Sequence, residues 1–147
     1  MHTETRTFTR TEEVTVYVSE DGESYETEKE CLMYEAKDKL ETKLITEAIP
    51  YGDYLSSDEL FYSWYLIDSK ETAELFNTAF DKSIVYKDKP YIVCIGYNDW
   101  DLTDSGFDRL FYLSEQLKDL NSWLNPLGYE VKKIDNSKTE SGEHNDP

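Results

Sequence analysis

Residues 60–67 have the sequence LFYSWYLI, a continuous aromatic and aliphatic run. Eight residues suit a buried central β-strand and are few for a helix. Asp68-Ser69 follows as a helix cap, with Glu71 in the first turn, so a short helix is expected next. The buried stripe of that helix is predicted to contain Ala73, Phe76, Ala79 and Phe80.

Two further elements are predicted before this strand. Val14, Val16 and Val18 alternate with polar residues and Tyr17 within Glu12 to Ser19, which indicates a half-buried strand. Asp21-Gly22 supplies a turn. A capping box of Thr27 and Glu30 then opens a helix that Pro50 closes, and residues 51–59 are loop. The buried face of this helix is predicted to contain Met33, Ala36, Leu40, Leu44 and Ala48.

After the short helix, residues 84–86 and 91–97 are separated by polar Lys87-Asp88-Lys89-Pro90, which indicates a β-hairpin. Residues 98–106 are expected to form a loop. A helix is predicted from Phe107 to Leu124, ended by Pro126 and Gly128, and residues 129–134 alternate as a final strand. The apolar stripe of this predicted last helix is Leu110, Leu113, Leu117, Leu120 and Leu124.

The predicted element order is therefore β-α-β-α-ββ-α-β. Strands isolated between helices favour a small α+β domain, with about three helices packed on a mostly antiparallel sheet. A compact parallel α/β fold is the alternative, and it is disfavoured because the hairpin and short connections leave too few crossovers. We expect residues 12–135 to form this single domain, residues 1–11 a flexible segment, and residues 136–147 a disordered acidic tail.

Composition also indicates where the chain resides. No apolar run approaches the roughly 20 residues that span a bilayer, and the polar N-terminus does not resemble a signal peptide. Cys31 and Cys94 are too few and too far apart for a disulfide framework. We therefore expect reduced thiols in a cytoplasmic protein.

The residues that carry most enzyme chemistry are scarce. His2 and His144 both lie near the termini, which removes the commonest general base and metal ligand from the folded body. Asp99, Asp101 and Asp104 resemble the start of a calcium loop, but the sixth position is Asp104 rather than Gly and the twelfth is Leu110. Acids around Cys31 disfavour its thiolate. We expect a non-enzymatic protein with no metal or cofactor.

The net charge of −17 is concentrated in two regions. Residues 19–60 carry thirteen acids and four Lys, and residues 99–120 carry six acids against Arg109 and Lys118. Residues 61–98 are nearly balanced, with five acids and four Lys. Such a charge repels phosphate and anionic lipid, so direct binding to nucleic acid or membranes is disfavoured. A basic partner is favoured instead.

Twelve residues are candidates for binding that partner. Around the predicted last helix, acids alternate with aromatic side chains, which are enriched at protein interfaces. An ordinary solvated helix face is the alternative explanation. Carboxylates on adjacent helical turns stand about 5–6 Å apart, close to the spacing of backbone phosphates, so their rows could mimic a nucleic acid. The candidates are Asp99, Trp100, Asp101, Asp104, Asp108, Tyr112, Glu115, Asp119 and Trp123, with Glu28, Glu35 and Asp38 on the first helix.

Residues 16–35, VYVSEDGESYETEKECLMYE, resemble a strand, turn and acidic helix start found in small proteins of phages that infect Gram-positive bacteria. Many such proteins inhibit host defence, including anti-CRISPR proteins that occupy the nucleic-acid groove of a Cas nuclease. The resemblance implies an inhibitor acting in the cytoplasm of an infected bacterium on a CRISPR effector or another defence nuclease. The alternative is a phage accessory or regulatory protein that binds a host protein, or itself, through an apolar surface, with acidity serving solubility.

Overall fold

The structure, a computed structural model, describes residues 1–51, 60–98 and 109–135. Its internal contacts divide the chain into two compact units. We call residues 1–42 and 71–85 the helical unit, and residues 43–70 and 86–147 the sheet unit. Helices and antiparallel sheets occur together, so the fold is α+β, as predicted.

The helical unit begins with a small hairpin of β1 (Tyr17–Val18) and β2 (Ser24–Tyr25), paired antiparallel. Gly22 takes a φ of +93° in the turn, a conformation that glycine adopts without steric cost. Helix α1 (Glu28–Leu40) starts at Thr27, whose Oγ1 accepts a hydrogen bond from the Glu30 amide at 3.2 Å. The predicted capping position is confirmed.

Helix α2 (Lys70–Phe80) supplies most of the remaining core of the helical unit. Thr72, Ala73, Phe76, Ala79 and Phe80 are its buried residues, which confirms the predicted stripe. The rings of Phe76 and Phe80 lie 5.0 Å apart, and the Lys37 ammonium of α1 lies 5.5 Å from the centre of the Phe80 ring.

The described part of the sheet unit contains four antiparallel strands in the order β3 (Leu44–Thr46), β4 (Leu60–Ile67), β5 (Tyr91–Asn98) and β6 (Arg109–Tyr112). The two long strands pair along their whole length, from Leu60 opposite Asn98 to Ile67 opposite Tyr91. The central strand predicted at residues 60–67 is confirmed. Helix α3 (Leu113–Leu124) follows β6 directly, and a 3-10 turn (Asn125–Leu127) follows the helix.

Tyr62, Trp64 and Cys94 form a buried cluster on one face of this sheet. Ile92, Phe111 and Leu113 pack against the cluster, so the first residue of α3 contributes to it. Trp64 Nε1 donates a hydrogen bond to the Ala48 carbonyl at 2.9 Å. This bond satisfies the indole donor and fixes the segment after β3 against the sheet.

Two predictions for the first half of the chain are wrong in extent. Only Tyr17–Val18 is strand within residues 12–19, and Val14, Val16 and Val18 are exposed because the hairpin is too small to bury them. Helix α1 ends at Leu40 rather than near Pro50. A 3-10 turn (Glu41–Lys43) follows, and Leu44 then pairs with Tyr65 in the sheet. Strand pairing overrides the helical spacing at that position.

Two predicted strands are absent from the described residues. Residues 84–86 and 129–134 form no strand, and in each segment an asparagine side chain bonds the amide and carbonyl of one residue. Asn77 bonds the amide and carbonyl of Ile84 at 2.7 and 2.9 Å. Asn121 does the same to Val131 at 2.7 and 2.8 Å. Strand β5 pairs with β4 and β6 instead of with residues 84–86.

The last helix is shorter than predicted. Residues 109–112 are β6, in which Leu110 lies opposite Ile95, and the helix begins at Leu113. The edge of β5 offers backbone partners that a longer helix would leave unused. Asn98, predicted to begin a loop, instead ends β5. The rest of that loop (residues 99–106), residues 52–59 of the loop predicted at 51–59, and the predicted tail at residues 136–147 lie outside the described residues.

Candidate functional site

The most acidic described region is the hairpin with α1. Residues 20–41 hold nine acids and three Lys, and eight of the nine acids are exposed. Among the described residues, Glu20 alone of these nine forms an ion pair, with Lys39 at 3.5 Å. The acids are Glu20, Asp21, Glu23, Glu26, Glu28, Glu30, Glu35, Asp38 and Glu41.

Asp21 is the centre of the hydrogen bonds that hold this region together. Its carboxylate accepts bonds from the Ser19 hydroxyl, from the Tyr34 hydroxyl at 2.6 Å and from the Glu23 amide at 3.3 Å. The bond from Ser19, and next the bond from Tyr34, lower the pKa of Asp21. The same contact with Asp21 raises the pKa of Tyr34 to about 12. Asp21 is therefore held ionised in a defined position.

Glu35 was predicted as an exposed binding residue, and the structure gives its carboxylate a local partner. The side chain is half-buried, and its Oε1 accepts a hydrogen bond from the Glu20 amide at 2.9 Å. The ring of Tyr34 lies 5.3 Å from that of Tyr25 in β2. These contacts attach the hairpin to α1, so Glu35 has a structural role at this surface.

A depression of about 230 Å³ lies where the hairpin meets α1. Its polar lining consists of Ser19, Glu20, Asp21, Tyr34, Glu35, Asp38 and Lys39. Asp38 is exposed and forms no ion pair with a described residue, so its carboxylate is available to a partner. Glu28 is likewise exposed, in the first turn of α1, where the helix dipole stabilises negative charge.

The predicted second surface is only partly described. Asp99, Trp100, Asp101, Asp104 and Asp108 lie outside the described residues. Tyr112 was predicted to share a helix face with Glu115, Asp119 and Trp123, and this placement is wrong because Tyr112 ends strand β6. It is half-buried, its ring lies 5.9 Å from that of Tyr91, and burial and Glu115 raise its pKa.

The remaining three residues do share one face of α3. Glu115, Asp119 and Trp123 are exposed and stand four residues apart. Trp123 is 59% exposed, and its ring lies 6.4 Å from that of Tyr51, which is 42% exposed. The pair forms an exposed aromatic patch beside two acids. Sequence reasoning missed Tyr51, because nothing local to a residue following Pro50 indicates this distant contact.

The acids around Cys31 were expected to disfavour its thiolate, and the structure adds burial as the larger cause. The side chain is 6% exposed, and burial, followed by the charge of Glu35, raises its thiol pKa. A raised pKa leaves the thiol protonated and poorly nucleophilic near neutral pH.

The described ranges hold no group of three or more His, Cys, Asp or Glu side chains placed to bind a metal ion. Within residues 1–51, 60–98 and 109–135, none of the helices has the length and apolar character needed to cross a bilayer.

Comparison with protein-family models, with curated proteins and with solved structures finds no match for this chain.

Proposed function

We propose that this protein is a non-enzymatic inhibitor that binds a basic nucleic-acid-binding protein through acidic surfaces that imitate a nucleic acid. The observation that carries the proposal is the set of eight exposed acids of residues 20–41, of which only Glu20 has an ion-pair partner among the described residues. The proposed targets are CRISPR effectors or other defence nucleases in the bacterial cytoplasm.

Preorganisation supports this proposal. The hydrogen bonds to Asp21 and Glu35 join the hairpin to α1, so the carboxylates around them need little ordering when a partner binds. The lowered pKa keeps Asp21 charged further into the acidic range than an ordinary aspartate. A concentrated negative surface also speeds association with a basic groove, and salt screens this attraction.

A competition assay tests the proposal. A panel of purified Cas nucleases and other basic defence nucleases is incubated with the protein, and their DNA binding is measured by mobility shift as salt increases. We expect inhibition of at least one nuclease that weakens steeply with salt. Inhibition unchanged at roughly 0.5 M salt, where the Debye length is only about 4 Å, would exclude nucleic-acid mimicry.

Charge-neutralising variants locate the surface. Glu28→Gln with Asp38→Asn should weaken inhibition, because both exposed carboxylates lack an ion-pair partner among the described residues. Glu12→Gln with Glu13→Gln is the matched control, since it removes the same charge from the exposed segment before the hairpin. Equal effects of the two pairs would show that total charge, rather than this surface, causes inhibition.

A second candidate function is binding of a host protein, or of a second copy, through an apolar surface. The exposed pair of Tyr51 and Trp123 favours it. In this case Trp123→Ala should abolish binding that persists at high salt, whereas neutralising Glu28 and Asp38 should leave it unchanged.

A further inference from the structure

A groove runs between α1 and α2 of the helical unit. It consists of two adjoining depressions of about 210 and 300 Å³, which share Leu32 and Thr78. The first is lined by Leu32, Glu35, Ala36, Lys39, Glu71, Glu74, Leu75 and Thr78. The second is lined by Glu28, Lys29, Leu32, Met33, Asn77, Thr78 and Asp81. The start of α1 thus faces the end of α2, so the helices run in opposite directions along the groove.

The floor of the groove is apolar. Leu32 lies at its centre and is 47% exposed. Met33 and Leu75 beside it are half-buried, and Ala36 is buried. This apolar strip, with Thr78 beside it, is partly open to water, and a partner that covers it gains hydrophobic stabilisation.

The rim of the groove is acidic. Glu28, Glu71 and Glu74 are exposed and form no ion pair with another described residue. The two lysines in the lining are already engaged: Lys29 lies 3.3 Å from Asp81, and Lys39 lies 3.5 Å from Glu20. The groove therefore combines an apolar floor with uncompensated negative charge on both helices.

These properties select a basic amphipathic helix as the occupant. An amphipathic helix laid in a groove places its apolar residues on the floor and its flanking residues against the rim. Residues 136–147 of this chain contain three acids and one Lys, so the acidic rim repels them. A second copy would bring the same acidic rim, because a two-fold contact places identical surfaces together.

We propose that the groove between α1 and α2 binds a basic helix of the target protein, with apolar side chains on Leu32 and Lys or Arg side chains at Glu28, Glu71 and Glu74. The identification of the helix as part of a nucleic-acid-binding target rests on the function proposed above. The preference of the groove for a basic amphipathic helix rests only on its lining.

Two synthetic peptides test this inference by fluorescence anisotropy with the full chain. One is a helix of about 18 residues with Leu on one face and Lys on the flanks. The other has the same composition in an order that destroys the apolar face. We expect the amphipathic peptide to bind at least about tenfold more tightly. Equal binding of the two peptides, or no binding of either, would overturn the proposal.

Variants assign the binding to the groove. Leu32→Gln should weaken binding of the amphipathic peptide at least about tenfold without unfolding the protein, because Leu32 is already half-exposed. Glu71→Gln with Glu74→Gln should weaken peptide binding and reduce the salt dependence of that binding. The control Glu12→Gln with Glu13→Gln should change the affinity for the peptide less than about twofold. Circular dichroism verifies folding. Binding unaffected by Leu32→Gln, or a dimer that Leu32→Gln dissociates, would overturn the proposal.

The same variant separates this inference from the proposed function. If the full chain inhibits a nuclease, Leu32→Gln should weaken that inhibition. Undiminished inhibition by Leu32→Gln would reject the groove and leave the acidic inhibitor in place. Peptide binding that depends on Leu32, with no nuclease inhibited, would retain the groove and reject the proposed function.

Discussion

The Tyr34 hydroxyl of α1 donates a hydrogen bond to Asp21 Oδ2 in the hairpin turn at 2.6 Å. This bond joins two segments thirteen residues apart and places a charged carboxylate at the edge of the acidic depression. Together with the bond from the Glu20 amide to Glu35, it makes the hairpin and α1 one ordered surface. The proposed binding of a basic partner depends on that order.

The bond between Tyr34 and Asp21 predicts a pH-dependent contribution to stability. The pKa of Asp21 is lowered from 3.8 in the folded protein, so the contribution is present above that value and is lost as pH falls through the folded pKa. Tyr34→Phe should therefore reduce the melting temperature near neutral pH, and the difference from the original protein should shrink in acid. Thermal melts from neutral to acidic pH measure this difference in melting temperature.

NMR titration checks the same bond directly. The Asp21 pKa should rise in Tyr34→Phe but stay below 3.8, because the bond from Ser19 is the larger cause of its lowering. At alkaline pH, the stabilisation of the fold by the Tyr34–Asp21 hydrogen bond is lost as pH rises through the raised Tyr34 pKa of about 12. Tyr129→Phe, at an exposed position, is the control and should leave the Asp21 pKa unchanged.

Gly96 is expected to be intolerant of any side chain. A Cβ at this position would lie 2.7 Å from Tyr62 Cε1 on the opposite strand. Gly96→Ala should cost about 1–3 kcal/mol in the free energy of unfolding, because the buried Tyr62 ring has little room to move. Urea denaturation measures the cost, which should be smaller in a Tyr62→Leu background. An equal cost in both backgrounds would place the strain elsewhere.

Asn121 is expected to fix the chain after α3. Its side chain pairs with the amide and the carbonyl of Val131, and each such hydrogen bond stabilises by about 0.5–1.5 kcal/mol. In Asn121→Ala, the Val131 amide should exchange its hydrogen faster and residues 128–135 should be cleaved more readily by protease. Asn125→Ala, at an exposed position, serves as the comparison. Unchanged exchange at Val131 would contradict this role.

Trp123 and Trp64 should respond differently to substitution. Trp123→Ala removes the exposed contact with Tyr51. It should lower the free energy of unfolding by about 0.5–1.5 kcal/mol, the range for an aromatic pair. Trp64→Phe should cost more, because it removes the hydrogen bond to the Ala48 carbonyl from a buried site. Urea denaturation curves compare the free energies of unfolding of the two variants. A larger loss from Trp123→Ala would show that Trp123 belongs to the core.

Elements specified by local signals were predicted well. LFYSWYLI forms β4 over the predicted range, and Thr27 caps α1. The stripe of α2 is buried as its spacing indicated. In each case the determining groups are neighbours in the chain: a capping hydroxyl three residues from its amide, or apolar residues at one helical period.

Elements that depend on distant partners were predicted poorly. Leucine spacing extended the last helix over Leu110, which instead pairs with Ile95 in the sheet. Residues 84–86 form a short apolar run and residues 129–134 alternate, as strands do, but Asn77 and Asn121 bond the backbone groups of Ile84 and Val131. Periodicity reports which face of a segment is apolar, and it does not report which backbone group will be its partner.

By itself the sequence determined the charge, its concentration in residues 19–60, the central strand and the α+β class, because these follow from composition and local period. The tertiary structure alone decided which acids are free and which are structural. Glu28 and Asp38 remain available, whereas Glu35 and Asp21 accept hydrogen bonds within the chain. The acidic groove at Leu32 also exists only in three dimensions, because its two walls come from helices thirty residues apart in the sequence.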